Sequence, residues 1–221
     1  MRQLLLDLLP PLPPRLENFV VGNNTETVVA LSNWLLDDSE TADVCFYLWG
    51  DLGAGKSHLL EGCDFPLLNG AETTEWGDID CTCLAVDNIE ALTPANQIAL
   101  FNFFNRCRHQ GGKLLVAATS APRQLNVRED LRTRLGSGLI YRLLPLEDHE
   151  KQEAITLHCR ERGMRLSSEV IAYLLRHAPR DMRNLMTLID LLDRYSLERK
   201  RAITIPLLRA VLSTPAEQLL G

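Results

Sequence analysis

Lys56 and Ser57 close the octapeptide Gly50-Asp51-Leu52-Gly53-Ala54-Gly55-Lys56-Ser57, which fits the pattern G-x-x-x-x-G-K-[ST] of nucleotide phosphate-binding loops. The chemistry needs those types at that spacing. Glycines let the backbone bend until successive N–H groups face an anion. Lys56 adds a cation for the β- and γ-phosphates. Ser57 can offer a hydroxyl to Mg²⁺, and a helix beginning here presents its positive end. The motif requires a strand before it and a helix after it. Val44-Cys45-Phe46-Tyr47-Leu48-Trp49 is a short apolar run rich in β-formers, and His58-Leu59-Leu60-Glu61 reads as helix.

Other residues acquire meaning beside that loop. Thr82-Cys83-Leu84-Ala85-Val86-Asp87 ends an apolar run in an acid, which can hold Mg²⁺ directly or through water. The next residue is Asn88, an amide that cannot take a proton from water, so slow intrinsic hydrolysis is expected. Thr119 and Ser120 end a further apolar run. Their hydroxyls could sense a γ-phosphate or cap the turn before Pro122. Arg134 lies in Asp130-Leu131-Arg132-Thr133-Arg134-Leu135-Gly136; its rigid fork suits phosphate, and a solvated helix face is the alternative. Arg183 begins a later helix. It could reach back to phosphates, or pair with Asp181. Gln3-Leu4-Leu5-Leu6-Asp7-Leu8 sits ahead of four prolines. Leu4, Leu6 and Leu8 share one side of an extended chain, a pattern for docking in a partner's apolar pocket or for packing on the chain's own domain.

The elements that must position these residues follow from periodicity. A helix from Asn24 or Thr25 to about Asp37 carries Val28, Val29, Leu31, Trp34 and Leu35 at helical spacing. Pro94 opens a helix to about His109, ended by Gly111-Gly112. Strands are expected over 44–49, 82–87, 113–119 and 139–143, with a short one at 65–68. Continuous apolar strands alternating with helices imply a parallel sheet covered on both faces. From about Glu147 the pattern becomes helical only, with helices near 147–162, 168–177, 181–195 and 204–213. The expected architecture is therefore an extended tail over 1–15, an α/β nucleotide-binding domain over 16–146 and a small all-helical domain over 147–221.

Composition sets outer limits. The chain has 221 residues, 46% hydrophobic and 24% charged, as expected of a soluble globular protein. The net charge of -6 argues against a large nucleic-acid surface. No stretch has the length of a membrane span, and Asp7 and the prolines interrupt the apolar start, so neither a membrane nor a signal peptide is expected. Six scattered cysteines and five histidines show no metal spacing, which reads as free thiols in a cytoplasmic protein.

Taken in order, these residues resemble the AAA+ superfamily and, within it, the DnaA group and its Hda family. Leu16-Glu17-Asn18-Phe19-Val20-Val21-Gly22-Asn23 is similar to the N-linker, the octapeptide to Walker A, and Asp87-Asn88 to Walker B. Thr119-Ser120 resembles sensor 1, Arg134 before Leu135-Gly136 the box VII arginine finger, and Asp181-Met182-Arg183 sensor 2. The resemblance spans about 16–214. It implies ADP or ATP with Mg²⁺ as cofactors, held by Asn18, Phe19, Val20, Val21, the loop from Gly50 to Ser57, His58, Asp87 and Arg183, with Ser57 and Asp87 at the metal. It implies that Gln3, Leu4, Leu6 and Leu8 bind the DNA polymerase III sliding clamp. A helix-turn-helix domain and the initiator-specific helices of DnaA are not expected, so any DNA contact would be mainly indirect, at the nucleoid or replisome. The activity implied is stimulation of ATP hydrolysis by DnaA on the DNA-loaded clamp, with Arg134 acting in trans, which restrains replication initiation. A nucleotide-dependent homo-oligomer is compatible with the family. Competing readings are an independently active ATPase of the helicase-loader or clamp-loader kind, a DNA-binding initiator paralogue, and a plain nucleotide-dependent interaction module.

Overall fold

Apolar residues alternate along each central strand between two cores, one on either face of a parallel sheet. The computed structural model describes residues 13–39, 41–72, 74–178, 182–199 and 202–213. The chain divides into two compact units, one containing Pro13–Pro145 and the other running from Leu146. In the first unit, β1 (Cys45–Trp49), β2 (Leu67–Asn69), β3 (Cys83–Asp87), β4 (Lys113–Ala118) and β5 (Leu139–Arg142) form a five-stranded sheet. Its order is β2-β3-β4-β1-β5, and every pairing is parallel. Cys45 and Tyr47 of β1, Leu84 and Val86 of β3, and Leu114 and Val116 of β4 face one core. Phe46, Leu48, Ala85, Leu115 and Ala117 face the other. Strands buried on both faces read as continuous apolar runs, which explains why alternation is invisible in the sequence.

Helices α3 (Pro94–Gln110) and α4 (Glu129–Leu135) close the first core with Leu100, Phe103, Phe104, Leu131 and Leu135. Helices α1 (Thr25–Leu36) and α2 (Lys56–Glu61) close the second with Leu31, Trp34, Leu59 and Leu60. Thr93 caps α3 by accepting from the Asn96 N–H, and Pro94 occupies its first turn. Two expectations for α1 are corrected. Val29 is 52% exposed, because the buried stripe runs through Thr27, Leu31 and Trp34. Asn24, 3% exposed, does not cap α1 with its side chain. Its amide pairs instead with the backbone after β5: Nδ2 donates to Leu144 O at 3.0 Å and Oδ1 accepts from Leu144 N at 2.7 Å.

The stretch between α2 and β3 carries no helix among its described residues; β2 is its one regular element. Buried Asn96 of α3 holds the rest, accepting from Trp76 N and donating to Thr74 O. The second unit consists of α5 (Asp148–Glu161), α6 (Ser168–His177), α7 (Met182–Arg199) and α8 (Ile205–Ser213) around its own core of Ile155, Ile171, Leu174, Leu185, Ile189, Leu192 and Leu208. A polar seam borders that core, where Asp190 Oδ1 lies 3.0 Å from His158 Nε2 and 3.4 Å from Arg162 Nε. No helix among the described residues is long and apolar enough to cross a membrane. The six cysteines are all free, and burial raises the thiols of Cys63 to about 12 and of Cys107 and Cys159 to about 11.

Asn24→Ala strips two buried hydrogen bonds and leaves the Leu144 N–H and C=O without that partner. A loss of about 2 kcal/mol or more is expected. Urea unfolding of the two proteins measures it, and an unchanged midpoint would contradict the assignment.

Candidate functional site

Because β4 inserts between β1 and β3, the loop after β1 and the acid at the end of β3 open on the same edge of the sheet. Gly50 N donates to Ala118 O at 3.2 Å, which fastens the start of the loop to the tip of β4. Gly50 cannot carry a side chain: a Cβ there would lie 2.2 Å from Leu143 O. Gly55 has φ +101°, the left-handed region that glycine enters freely, and a Cβ would also meet the Phe19 ring at 2.8 Å. The octapeptide is thus a tight turn wedged between β1 and α2, as its glycines require.

Lys56 is only 7% exposed, and its ammonium donates to the loop's own carbonyls, Gly50 O at 2.7 Å and Asp51 O at 2.9 Å. Burial lowers its pKa; Asp87, Glu90 and Asp51, all within electrostatic reach, oppose that shift. Ser57 Oγ donates to Asp87 Oδ2 at 2.5 Å, bringing the hydroxyl and the acid together across the sheet. The other Asp87 oxygen accepts from Asn88 N at 2.8 Å. Mg²⁺ is commonly held by one or two carboxylates together with substrate phosphates. Ser57 and Asp87 offer the protein oxygens of such a site, with Lys56 and the α2 N-terminus facing the phosphates, so the residues present fit a magnesium nucleotide. No cluster of three or more His, Cys, Asp or Glu side chains that could hold a metal alone occurs among the described residues.

The segment expected to meet the base packs on the start of α2. His58 Nε2 lies 2.9 Å from Asn18 Oδ1 and 3.0 Å from Arg15 O. Both neighbours are acceptors, so this nitrogen carries the proton. Burial holds the His58 pKa below its ordinary value, which keeps the ring neutral near pH 7. The Phe19 ring sits 5.5 Å from the His58 ring. Val20 and Val21 are half-buried beside it. Asn18, Phe19 and His58 therefore form one structural unit with the phosphate loop.

The remaining candidates are placed less simply. Strand β4 stops at Ala118, so Thr119 and Ser120 follow it rather than end it. Ser120 contributes its carbonyl, which accepts from the buried Tyr47 hydroxyl at 2.8 Å. The Thr119 hydroxyl donates to Glu90 Oε1 at 2.7 Å, and its N–H donates to the same oxygen at 3.1 Å. Asn88 adopts φ +51°, and its Nδ2 donates to Asn69 Oδ1 of β2 at 3.0 Å. Arg134 sits in the last turn of α4, half-buried, with its guanidinium 6.0 Å from the centroid of the Phe104 ring on α3. Arg183 falls in the first turn of α7, and its side chain lies outside the described residues, as do Asp181 and the whole of Gln3, Leu4, Leu6 and Leu8.

Sequence reasoning passed over Glu90, Asn69 and Tyr47. The short 3-10 turn Ile89–Ala91 returns Glu90 to the tip of β4. The one sequence signal for it was a second acid shortly after Asp87, on the far side of an asparagine, a residue that tolerates the left-handed conformation.

Comparison with known proteins agrees with this architecture. Residues 148–212 match the family model described as Hda, lid domain. The chain is similar to domain III of the Thermotoga maritima replication initiation protein DnaA, with 18% identity and a TM-score of 0.75 over 92% of this chain and 98% of that one. It is similar to AMPPCP-bound DnaA from Aquifex aeolicus at 24% identity and a TM-score of 0.66, covering 88% of this chain and 70% of that one. A Thermotoga maritima RuvB mutant has 18% identity and a TM-score of 0.69, covering 90% of this chain and 71% of that one. At these identities the solved structures establish the fold. The chain thus has the fold of DnaA domain III, and most of its helical unit matches an Hda lid domain.

Proposed function

We propose that this chain is a nucleotide-dependent regulator of DnaA. It binds ADP or ATP with Mg²⁺ and, on the DNA-loaded sliding clamp, stimulates the ATP hydrolysis of DnaA. The observation that carries the reading is the Ser57–Asp87 contact beside a buried Lys56, in a chain whose helical unit matches an Hda lid. A chain with that lid and an intact phosphate loop suits a protein that holds a nucleotide while acting on a relative. Two DnaA structures to which the chain is similar carry AMPPCP, which supports nucleotide use of the same kind here.

In this reading Gly50–Ser57 and Lys56 hold the phosphates, Ser57 and Asp87 hold the metal, and Asn18 and Phe19 face the base, supported by His58. Val20 and Val21 complete the site. The nucleotide tightens the contact face, and the chemistry belongs to the partner. Arg134 would enter the nucleotide site of DnaA and stabilise the charge that develops on the transferring phosphoryl group. Its seat over Phe104 supports that role, since a guanidinium braced on a ring keeps its fork available at low entropic cost. Gln3, Leu4, Leu6 and Leu8 would seat the chain on the clamp, which places it where DnaA is to be inactivated. The site of action is the cytoplasm, at the replisome.

Single-turnover hydrolysis of ATP prebound to the cognate DnaA, with DNA-loaded clamp, tests the reading. The ADP form of this chain should accelerate hydrolysis, and Arg134→Ala should lower that acceleration by about a thousandfold or to background. Equal acceleration by both proteins would remove Arg134 from the mechanism. Lys56→Ala should abolish ADP affinity in a calorimetric titration, and a Kd matching wild type would refute the phosphate site. Gln3→Ala should lose capture by immobilised clamp while nucleotide affinity stays at the wild-type value; undiminished capture would sink the tail assignment.

A further inference from the structure

Charge is unevenly spread along this chain. Between residues 59 and 105 there is no lysine, arginine or histidine. Within that stretch Glu72, Glu75, Asp78 and Asp80 crowd the segment leading into β3, and all four are exposed. Their carboxylates have no hydrogen-bond or ion-pair partner among the described residues. Unpaired like charges so close in the chain hold a negative potential over this surface.

The same segment is fixed on α3, and the fixing builds a cleft. Asn96 of α3, fully buried, accepts from Trp76 N and donates to Thr74 O, each at 3.0 Å. Arg106, the first base after His58, lies 5.3 Å from the centroid of the Phe103 ring and donates to Ile79 O and Cys81 O. Its hydrogen bonds go to backbone carbonyls, so it ties the segment down without pairing with any of the four acids. Between segment and helix lies a cleft of about 210 Å³, lined by Trp76, Ile98, Ala99 and Phe103 together with Glu75 and Asp78. Trp76 is half-buried and Ile98 is 45% exposed, so apolar surface opens to solvent here beside two unpaired carboxylates.

Apolar lining supplies affinity to such a recess, and the charges on its rim select the ligand. With Arg106 spent on the backbone, the unpaired charges are negative, which repels nucleic acid and favours a cation. Arginine and lysine suit both parts: their aliphatic stems cover apolar surface while the charged head meets a carboxylate. We propose that this cleft docks a basic segment of another protein. One apolar side chain seats against Trp76 and Ile98, and flanking arginines or lysines pair with Glu75 and Asp78. Glu72 and Asp80 extend the field that draws the segment in. The docking uses no residue of the nucleotide site, so either assignment can fail without the other.

The test is a fluorescence-anisotropy titration of the full chain with a labelled peptide that carries a leucine between two pairs of arginines. Wild type should bind it, less tightly as salt rises. Glu75→Lys combined with Asp78→Lys should weaken binding by about tenfold or more and should instead capture the same peptide made with glutamates for arginines. Ile98→Ser should weaken binding of the arginine peptide, as should serine in place of its leucine. Equal charge reversal on the helical unit, Glu153→Lys with Glu161→Lys, should leave the Kd unchanged. Absence of binding to wild type, undiminished binding to the rim variant, or an equal loss in the remote variant would overturn the proposal. Sedimentation of the chain alone checks the other occupant. A dimer that the rim variant dissolves, with the peptide unbound, would assign the cleft to a second copy and overturn it as well.

Discussion

The 2.5 Å contact between Ser57 and Asp87 depends on a single topological constraint, the insertion of β4 between β1 and β3. A parallel sheet brings the C-terminal ends of its strands to one edge, and ligands of open α/β sheets bind where the strand order reverses. Here β1 and β3 are held apart by the width of one strand. That gap lets the loop from one and the acid from the other converge without the two elements colliding. Tyr47 and Ala118 secure the same edge from below. The Tyr47 hydroxyl fixes Ser120, and the Ala118 carbonyl fixes Gly50.

Electrostatics explain why such a site keeps its shape. Lys56 is a buried cation, costly unless paired. Its own loop carbonyls take two of its protons, and Asp87, Glu90 and Asp51 supply opposing charge. A phosphate approaching the loop would compete for the ammonium with those two carbonyls, neutral groups that bind it less strongly than an anion would. The glycines contribute by excluding side chains where backbone from other elements passes. The Leu143 carbonyl occupies the space a Cβ on Gly50 would need, and Phe19 occupies the space beside Gly55. Base segment, loop and β5 exit are therefore packed as one block.

Much of this was legible in the sequence because long apolar runs and the glycine pattern leave few alternatives. The five strands, the Thr93–Pro94 start of α3 and the four later helices follow from periodicity and caps. Leu185, Ile189 and Leu192 are buried as their spacing indicates. What was not legible depends on single conformations or on long-range pairs. Asn24 looks like a cap by type and position, yet tertiary pairing with Leu144 takes its side chain. Asn88 looks like a missing acid when the motif is read linearly. The left-handed turn at that residue, which no periodicity encodes, carries Glu90 to Thr119 at the tip of β4. Arg134 over Phe104 joins α4 to α3, two helices related only by the fold.

Arg134 and Glu90 are held by their surroundings in different ways. A group acting on another protein's phosphate must be held at the surface by its own chain without being consumed by it. A ring contact does this, since it braces the guanidinium while leaving its five N–H donors free to pair elsewhere. Glu90 is held inward instead, with Oε1 accepting two hydrogen bonds from Thr119 and Oε2 enclosed. Separate elements supply them, α4 for the outward group and the turn after β3 for the inward one. Substitution of either group therefore leaves the other's supports in place.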